Sequence, residues 1–488
     1  MTVRHTIHWR GGVPVRAYYE SARPDRTRKQ RTETGSADVA VTRAGQNLRQ
    51  QARHLEQNHD LARGALNTLV QNTVGSTGIQ IEPQPRAANG EILREFARDI
   101  RKQWRLWARR PEVTNEFSFA SVQRLLARSW IRDGEVFVQH LAGRVPKLTH
   151  NSAVPYTLEL VEADFVPLDY SQQGPPMIIN GVEKSEWGRP AAYYVYKRHP
   201  NHLLHGVSRQ DLKRISSARM SHIKMVDRIG QTRGVSLFAP VMARLDDIKD
   251  YEESERIAAK VAASMAAYIK KGNPDSYADD PDEDGEWEPR EMRFRPGMVF
   301  DDLLPGEDIG MIDTNRPNTS LEAFRNSQLR AFAAGFGGTF SSIAKTYDGT
   351  FSAQRQELVE GWGAYQILAA EFTDQLVRPV YERWLEMALL TGQLALPAGV
   401  DEYSLNDALY VAPQMPWIDP MKEATAWETL QKNHHASAPE IIRKRGQNPD
   451  DVLEQAAAWR DALEERGLSN NEEDGVSNAQ DRTFLLQD

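Results

Sequence analysis

The chain contains 488 residues, of which 40% are hydrophobic and 26% are charged, and it carries a formal net charge of −8. This composition is typical of a soluble protein long enough to bury a sizeable core, and the negative charge argues against general affinity for nucleic acid. The absence of cysteine excludes disulfides, thiolate metal sites and thiol nucleophiles, and it fits a reducing compartment. The N-terminus lacks the apolar segment of a signal peptide, and no apolar run is long enough to predict a membrane span. We therefore expect an intracellular product.

The first half of the chain predicts a basic arm followed by an α+β unit. Residues 1–53 contain eleven Lys or Arg and four acids, and such an arm is typically solvated or meets a phosphate or an acidic partner. Helical spacing follows in three segments, Val41–Val70, Ile92–Trp107 and Phe119–Ile131. Short strand-like runs, separated by Pro, Gly and Asn, then begin at Glu135, Tyr156, Pro190 and Met220.

The second half predicts long helices. Almost unbroken helical spacing runs from Leu237 to Lys271, and a second helix is predicted from Leu321 to Phe336, followed by a glycine-flanked loop. From Ser352 the helical spacing continues for about forty residues, and Pro379 inside it should kink the helix. Further helices are predicted near Glu423–Leu430 and Asp450–Leu468, before a polar acidic tail.

The sequence carries none of the common catalytic signatures. It has no Gly-x-x-x-x-Gly-Lys-Ser/Thr loop, no Gly-x-Ser-x-Gly elbow and no His-Glu-x-x-His helix. His199, His202 and His205 lie in a polar stretch without neighbouring acids, so we interpret them as solvated loop residues and not as metal ligands. Adjacent acids such as Asp246 and Asp247 fall on a long predicted helix, where an exposed charged face is the plain interpretation.

The stretch DPDEDGEWEPRE, residues 280–291, has the pattern of a calcium-binding loop. Asp280, Asp282 and Asp284 occupy alternating ligand positions, and Glu291 occupies the final bidentate position. Such a site needs a helix on each side, whereas the preceding helical spacing ends several residues too early and the following residues alternate like a strand. A solvated acidic loop is therefore the favoured interpretation, and calcium binding is the alternative.

Several segments resemble the portal proteins of tailed bacteriophages, specifically the lambda-type family. They occur in order and extend from about residue 40 to residue 460, so the set is more specific than any single motif. The segments are QNTVGSTGI from Gln71, RDGEVFV from Arg132, LELVEADFV from Leu158, GRPAAYYV from Gly188, RGVSLFAPVMARLDDIKDYEE from Arg233, RPGMVFDDLLPGEDI from Arg295, FAAGFGGTF from Phe332, TYDGTFSAQR from Thr346 and WIDPMKEA from Trp417. Relatives usually have Tyr-Ser-Ser-x-Arg near Phe351, and here the second serine is replaced by Ala353.

The resemblance implies an elongated α+β portal subunit with a wing, a long-helix stem, a clip and a helical crown. The predicted elements divide the chain at corresponding places. The parts are a basic N-terminal arm (1–40), the wing (41–236), a stem helix (237–271), the clip (272–320), a second stem helix (321–336), a tunnel loop (337–351), a kinked long wing helix (352–394), the crown (395–466) and an acidic tail expected to be disordered (467–488).

By the same resemblance, the chain forms a ring, usually of twelve subunits, at one capsid vertex of the virion, and it is assembled in the host cytoplasm. The ring conducts double-stranded DNA, without sequence specificity, during packaging and ejection. The implied partners are other copies of the chain, the terminase large subunit, head-tail adaptor proteins and the major capsid or scaffold protein. No membrane, cofactor or enzymatic activity is implied.

DNA that slides through a ring must not be held tightly, so a net acidic wall with isolated guiding cations would suit the task. We expect the DNA-channel residues to be Gly337, Gly338, Lys345, Tyr347, Gly349 and Arg355, with the glycines letting the loop move. Two plainer interpretations stay open. Lys345 and Arg355 would then be ordinary surface charges, and Gly335 and Gly337 would be only a helix stop.

The predicted clip contains the candidate docking residues Asp280, Asp282, Asp284, Glu286 and Trp287. Residues 279–291 hold eight acids and one arginine, so we expect this loop to repel DNA and to steer basic partners such as the motor and adaptors. Two other functions remain as alternatives, a metal-dependent DNA-processing enzyme that uses the acidic clusters and a calcium-binding adaptor.

Overall fold

The structure is a computed structural model that describes residues 33–202, 208–263, 321–416 and 419–466, with four short strands outside these ranges. Its helices are α1 (Ala37–Asn58), α2 (Asp60–Thr73), α3 (Arg94–Trp107), α4 (Phe119–Asp133), α5 (Met242–Ala263), α6 (Leu321–Phe336), α7 (Phe340–Ala344), α8 (Phe351–Phe372), α9 (Arg378–Leu390), α10 (Pro420–Lys432), α11 (Ala438–Lys444) and α12 (Pro449–Glu465). Its strands are β1 (Ile7–His8), β2 (Pro14–Val15), β3 (Gln80–Pro83), β4 (Glu135–Ala142), β5 (Tyr156–Val161), β6 (Met177–Ile179), β7 (Val182–Lys184), β8 (Pro190–Tyr196), β9 (Leu212–Ser216), β10 (Met220–Lys224), β11 (Ala267–Lys271), β12 (Glu307–Met311) and β13 (Ala408–Val411). The mixture of helices and antiparallel sheets confirms the predicted α+β class. Among the described helices, none has the length and apolar character needed to cross a membrane.

The helical spacing predicted over residues 41–70 is divided between α1 and α2. At His59 the backbone is extended, with φ −127° and ψ 115°, and α1 ends there. The buried ring of His59 donates a hydrogen bond from Nε2 to the carbonyl oxygen of Leu245 in α5, at 3.0 Å. Local periodicity could not show this break, because the interaction that accompanies it joins residues 186 positions apart.

Strand β4 lies between two hydrophobic cores. It is the central strand of the antiparallel sheet β10-β4-β5, whereas β6 to β9 form a second antiparallel sheet in sequence order. Val136 and Val138 point into the main core, and Phe137 points into a smaller core that contains Tyr193. Successive strand side chains face opposite sides of a sheet, so this one apolar strand contributes to both cores.

Aromatic side chains join the first helices to the later part of the chain. The ring of Trp104 in α3 meets that of Trp384 in α9 edge to face, with centroids 5.0 Å apart. Trp107 packs beside them, and its indole N–H donates to the carbonyl oxygen of Tyr156 at 2.7 Å. The main core is thus closed by residues more than 200 positions apart in sequence.

Helices α8 and α9 are joined by a π-helical turn, Thr373–Val377, immediately before Pro379. A proline in a helix has no N–H to donate, and its ring clashes with the carbonyl group four residues earlier. The Arg378 N–H donates to the carbonyl oxygen of Thr373, five residues back, so the ladder is already widened where the proline enters. The sequence predicted a kink at this position, and the structure shows a π-helical turn.

The helix predicted over residues 237–271 is wrong at both ends. α5 starts at Met242 and ends at Ala263, and residues 267–271 form β11, which pairs with β12 so that Ile269 lies opposite Ile309. Aromatic and β-branched residues suit a strand once a partner is present. That partner lies far along the chain, beyond the reach of helical periodicity. The second predicted helix of this region is present as α6 with the predicted bounds.

After α9 the chain contacts elements of its N-terminal half. β13 pairs antiparallel with β3, with Tyr410 opposite Ile81. Helices α10 and α12 occupy the two predicted C-terminal helical regions, whereas α11, seven residues long, was not predicted because it is too short to show periodicity. The residues between β11 and β12, most of the N-terminal arm and the acidic tail lie outside the described residues.

Two glycines allow the chain to cross itself beside β4. Gly134 ends α4 with φ 87°, and a Cβ added there would lie 2.2 Å from the carbonyl carbon of Val235. A Cβ added at Gly234 would lie 2.0 Å from the carbonyl oxygen of Gly134. A larger residue therefore fits at neither position, and this close approach brings Glu135 next to Arg233.

We predict that Gly134→Ala destabilises the protein more than Gly143→Ala does. Both glycines have positive φ, 87° and 69°, so alanine at either should cost roughly 1–2 kcal/mol of conformational energy. Only at Gly134 does the new methyl group meet backbone atoms, which should add about 1–3 kcal/mol, whereas Gly143 has open space around it. The denaturant midpoints of the two variants and the wild type measure the difference. Equal midpoints for the two variants would contradict the prediction.

Candidate functional site

Charged side chains are buried together at the start of β4. The ionic cluster consists of Arg49, Arg53, Asp133, Glu135, Asp164, His222 and Arg233. At its centre, the Arg233 guanidinium donates to the Glu135 carboxylate from Nε at 2.9 Å and from Nη2 at 2.6 Å, and neither side chain is exposed to solvent. Arg49 also donates to Glu135, at 2.9 Å.

Most of the remaining donors and acceptors of the cluster are also paired, although the buried Nε of Arg49 has no hydrogen-bond partner among the described residues. Arg233 donates from Nη1 to the carbonyl oxygens of Val166 and Asn180, at 3.0 and 2.7 Å. Arg53 donates to Asp133 from Nη2 at 2.8 Å, and it also forms an ion pair with Asp164. Every carboxylate of the cluster is paired with an arginine, so the cluster is suited to holding segments together and not to proton transfer.

The cluster brings together three of the segments that carry the family resemblance, RDGEVFV, LELVEADFV and RGVSLF. Sequence reasoning noted these segments and missed their pairing. The sequence pattern that could have indicated the pair is a charged residue next to a glycine at the edge of an apolar run, as at Glu135 and Arg233. That signal marks a residue with a buried partner, but it does not identify the partner.

Burial and neighbouring charges set the protonation states of the cluster. Burial alone would raise the pKa of Glu135, but Arg233 and His222 lower it well below its usual range. Burial lowers the pKa of His222 to about 4, against the opposing effect of Glu135. At neutral pH the imidazole of His222 is therefore neutral and donates from Nε2 to Glu135, at 2.9 Å. On the same sheet, burial lowers the pKa of His140 to about 3.

The sequence-based statement that His199 lacks nearby acids is wrong. The structure places its Nε2 3.6 Å from a Glu162 oxygen and 4.0 Å from an Asp164 oxygen. Within the part of the chain that the structure describes, this is the one group of His and acids spaced to hold a metal ion. Arg49 and Arg53 both pair with Asp164 and lower its pKa, although burial alone would raise it. Two arginines at the best-buried ligand disfavour a divalent cation, so this group does not support the metal-enzyme alternative.

The predicted tunnel loop has a fixed base that contains a helix. α6 ends at Phe336. The next residue, Gly337, has φ 81° and donates its N–H to the Ala333 carbonyl oxygen at 3.0 Å, so Gly337 acts as a helix stop. α7 follows, and its Ile343 is buried in the main core. Ser341 donates its backbone N–H to the Glu357 carboxylate of α8 at 3.0 Å, and its hydroxyl donates to the same group.

Close packing explains three glycines of this region. A Cβ at Gly335 would lie 2.7 Å from Val241, one at Gly338 would lie 2.8 Å from Ile343, and one at Gly361 of α8 would lie 2.2 Å from the Thr339 methyl group. Each of these glycines therefore permits a contact that holds the base of the loop. Gly349, by contrast, does not have a positive φ, and a Cβ there meets only ordinary contacts.

The exposed tip, residues 345–355, carries the predicted cations. Lys345 ends α7 in the left-handed conformation, with φ 56°, and its side chain is exposed. Tyr347 and Phe351 are 60% and 56% exposed, and Arg355 is exposed on the first turn of α8. Neither Lys345 nor Arg355 forms an ion pair within the described ranges. The structure thus brings the predicted residues onto one exposed segment, with Gly337 and Gly338 in its base.

The other candidate residues cannot be placed. Asp280, Asp282, Asp284, Glu286 and Trp287 of the predicted clip lie outside the described residues, as does Glu291 of the calcium pattern. Their assignments stay predictions.

We predict that the free energy of unfolding falls as the pH drops from about 6.5 toward 4. His140 and His222 have folded pKa values of about 3 and about 4, below the value of roughly 6.5 of an unfolded histidine. The unfolded chain therefore binds protons that the folded chain excludes, and this stability, complete above about pH 6.5, is lost toward the folded pKa values. Thermal midpoints of the wild type and of His222→Gln, measured across this range, should show a smaller loss in the variant.

The expected loss of unfolding free energy caused by His222 is a few kcal/mol, because each unit of pKa difference corresponds to about 1.4 kcal/mol. His54→Gln, at an exposed position of α1, is the matched control and should keep the wild-type pH dependence. An identical pH dependence in His222→Gln and the wild type would contradict the assignment.

The chain is similar to several known proteins. The family described as phage portal protein, lambda family, matches residues 23–368. The "Probable portal protein" of Halomonas phage phiHAP-1 is 25% identical over 453 residues, which cover 90% of this chain and 85% of the relative. "Portal protein B" of Escherichia phage lambda is 20% identical over 55% of this chain and 58% of the relative. Among solved structures, a chain from the neck of a native gene transfer agent particle superposes with a TM-score of 0.43 at 13% identity, covering 85% of this chain and 94% of the other.

The family match covers more than half of the chain, and it includes the ionic cluster, α5 to α7 and the exposed tip. The chain belongs to the lambda family of phage portal proteins.

Proposed function

We propose that the chain is the subunit of a ring of twelve copies, located at one capsid vertex of a virion and assembled in the host cytoplasm. The ring conducts double-stranded DNA during packaging and ejection, and it serves as the docking platform for the terminase large subunit, head-tail adaptor proteins and the major capsid or scaffold protein. The observation that carries this proposal is the family match over residues 23–368. The role is a conduit, without a catalytic reaction of its own.

The geometry of the exposed tip supports a DNA-facing role. Its base is fixed by Ile343 in the core and by the contact of Ser341 with Glu357, so the tip is held at a defined position. The tip itself carries Lys345, Asp348 and Arg355, a weak excess of positive charge. A few cations per copy would centre the DNA backbone, whereas many phosphate contacts would hold it and oppose sliding.

Electron microscopy of the purified full-length chain tests the proposal. Negatively stained particles should be rings of about a dozen subunits with a central hole. Because some rings require a nucleating partner, the chain should also be co-expressed with its capsid and scaffold proteins. A chain that stays monomeric at micromolar concentration under both conditions would overturn the proposal.

We predict that the double variant Lys345→Asn/Arg355→Gln forms rings but packages DNA several-fold less efficiently. Both changes remove a cation, and asparagine tolerates the left-handed conformation of Lys345. The measurement is the yield of filled heads in a packaging reaction, with rings confirmed by microscopy. Lys147→Asn is the matched control, because Lys147 is also exposed and has φ 64°. Wild-type packaging by the double variant would show that these cations are ordinary surface charges.

We also predict that the acids of residues 279–291 strengthen the binding of basic partner proteins at the predicted clip. Asp280, Asp282, Asp284 and Glu286 are changed together to their amides, and the affinity of the ring for terminase and adaptor is measured at low and moderate salt. Affinity should fall several-fold at low salt and less at moderate salt, because screening weakens the attraction in the wild type. Trp287→Ala tests an apolar contribution separately. Unchanged binding at both salt concentrations would show that the acids do not steer partners.

A further inference from the structure

Helices α10, α11 and α12 contain almost no fully buried residue within one chain. No residue of α10 or α11 is buried, and in α12 only Pro449 is. Within the described residues, the buried members of the main core end at Leu394. Short helices are marginally stable alone, and in proteins they are stabilised mainly by packing an apolar face. These helices therefore lack the contact that would normally stabilise them.

Apolar side chains are nevertheless present on these helices, and they face solvent. Met421 of α10 is 78% exposed, and Leu453 and Trp459 of α12 are 63% and 66% exposed. Val452, Ala456, Trp459 and Leu463 follow the spacing of a single helix face, which we call the α12 stripe. Two of the four, Ala456 and Trp459, are exposed and two are half-buried, so half of the stripe has no cover in the single chain.

The orientation of α12 is the reverse of what amphipathic helices usually show. Its acidic side faces its own chain, where Glu454 pairs with Arg98 of α3 at 2.7 Å and Asp450 pairs with Arg101 at 3.2 Å. Asp451 pairs with Arg105. An amphipathic helix normally buries its apolar stripe and exposes its charges. Ion pairs thus fix α12 to α3 and leave Ala456 and Trp459 of the stripe turned outward.

The charges of the C-terminal helices identify a complementary surface on the same protein. Residues 449–466 contain six acids and two arginines, whereas residues 420–448 contain five Lys or Arg and three acids. In the described part of the chain, Asp461, Glu464 and Glu465 at the end of α12 form no ion pair. α10 itself has two lysines and two glutamates and is neutral, and the basic excess of this segment comes from Arg443, Lys444 and Arg445. Lys444 lies over the Trp427 ring of α10, 4.2 Å from its centroid, so these cations adjoin the exposed apolar residues of α10.

We propose that the α12 stripe of one copy packs against α10, around Met421, of a neighbouring copy. The inference rests on the proposed ring, because a ring needs a contact between two different surfaces that repeats around the axis. Pairing of two identical α12 stripes would instead give a closed two-fold dimer, and it would bring two acidic helices together. The contact of α12 with α10 avoids that repulsion and continues from copy to copy.

The absence of cysteine allows a direct test by cross-linking between copies. Two single-cysteine variants of the full chain, Met421→Cys and Ala456→Cys, are mixed, allowed to form rings and treated with a short bis-maleimide. Each copy carries one thiol, so a covalent dimer of the two variants reports only contact between copies. Ala458→Cys is the matched control, because Ala458 is also an exposed alanine of α12 but lies away from the stripe.

The expected result is a covalent dimer of the Met421→Cys and Ala456→Cys chains, with at least tenfold less product when Ala458→Cys replaces Ala456→Cys. In a separate measurement, rings of the Trp459→Ser variant should dissociate at a higher protein concentration than wild-type rings do when both are diluted. Rings that yield no product, or that yield only dimers linked through two copies of the Ala456→Cys chain, overturn this inference and leave the proposed function standing. A wild-type chain that forms no rings overturns both.

Discussion

The buried contact of Glu135 with Arg233 is the interaction on which the arrangement of the chain depends. Both side chains are fully buried, and removing one partner of such a pair typically costs about 3–5 kcal/mol because the other charge is left without compensation. The pair forms only because Gly134 and Gly234 let two backbone segments approach more closely than any Cβ would allow. It therefore acts as a constraint on geometry: the strand that starts at Glu135 and the segment that leads into α5 have one permitted position.

That constraint extends from the ionic cluster to the exposed tip. Five residues after Arg233, the ring of Phe238 packs against Phe336 with centroids 4.5 Å apart. Phe336 is the last residue of α6, and Gly337 follows it at the base of the tip. The buried pair at Arg233, the packing of Phe238 on Phe336 and the helix stop at Gly337 thus connect the ionic cluster to the tip. The core therefore positions the tip, although the side chains of the tip are exposed.

The C-terminal helices follow a different principle. The body of the chain is held by apolar packing around a few compensated charges. α12 is held to α3 by the partly buried pairs of Arg101 and by the solvent-exposed pairs of Arg98 and Arg105. Such pairs contribute only about 0–1 kcal/mol each, so they orient the helix more than they stabilise it. Within one chain, the main core therefore buries its apolar residues, whereas the C-terminal helices leave several of theirs exposed to solvent.

The sequence by itself determined the α+β class, the bounds of α6, the helical spacing of α3, α4, α8 and α9, and the order of the segments that resemble the family. These features depend on residues close in sequence, whose periodicity and caps act locally. It did not determine the break at His59, the strand β11, the short helices α7 and α11, or the acids beside His199. In the tip, the sequence identified the cations, but it treated as a mobile loop a segment whose base is anchored. The helix α11 is too short to show periodicity. The other points were decided only by the tertiary structure, because they depend on partners distant in sequence: Leu245 for His59, β12 for β11, Glu357 for Ser341, and Arg233 for Glu135.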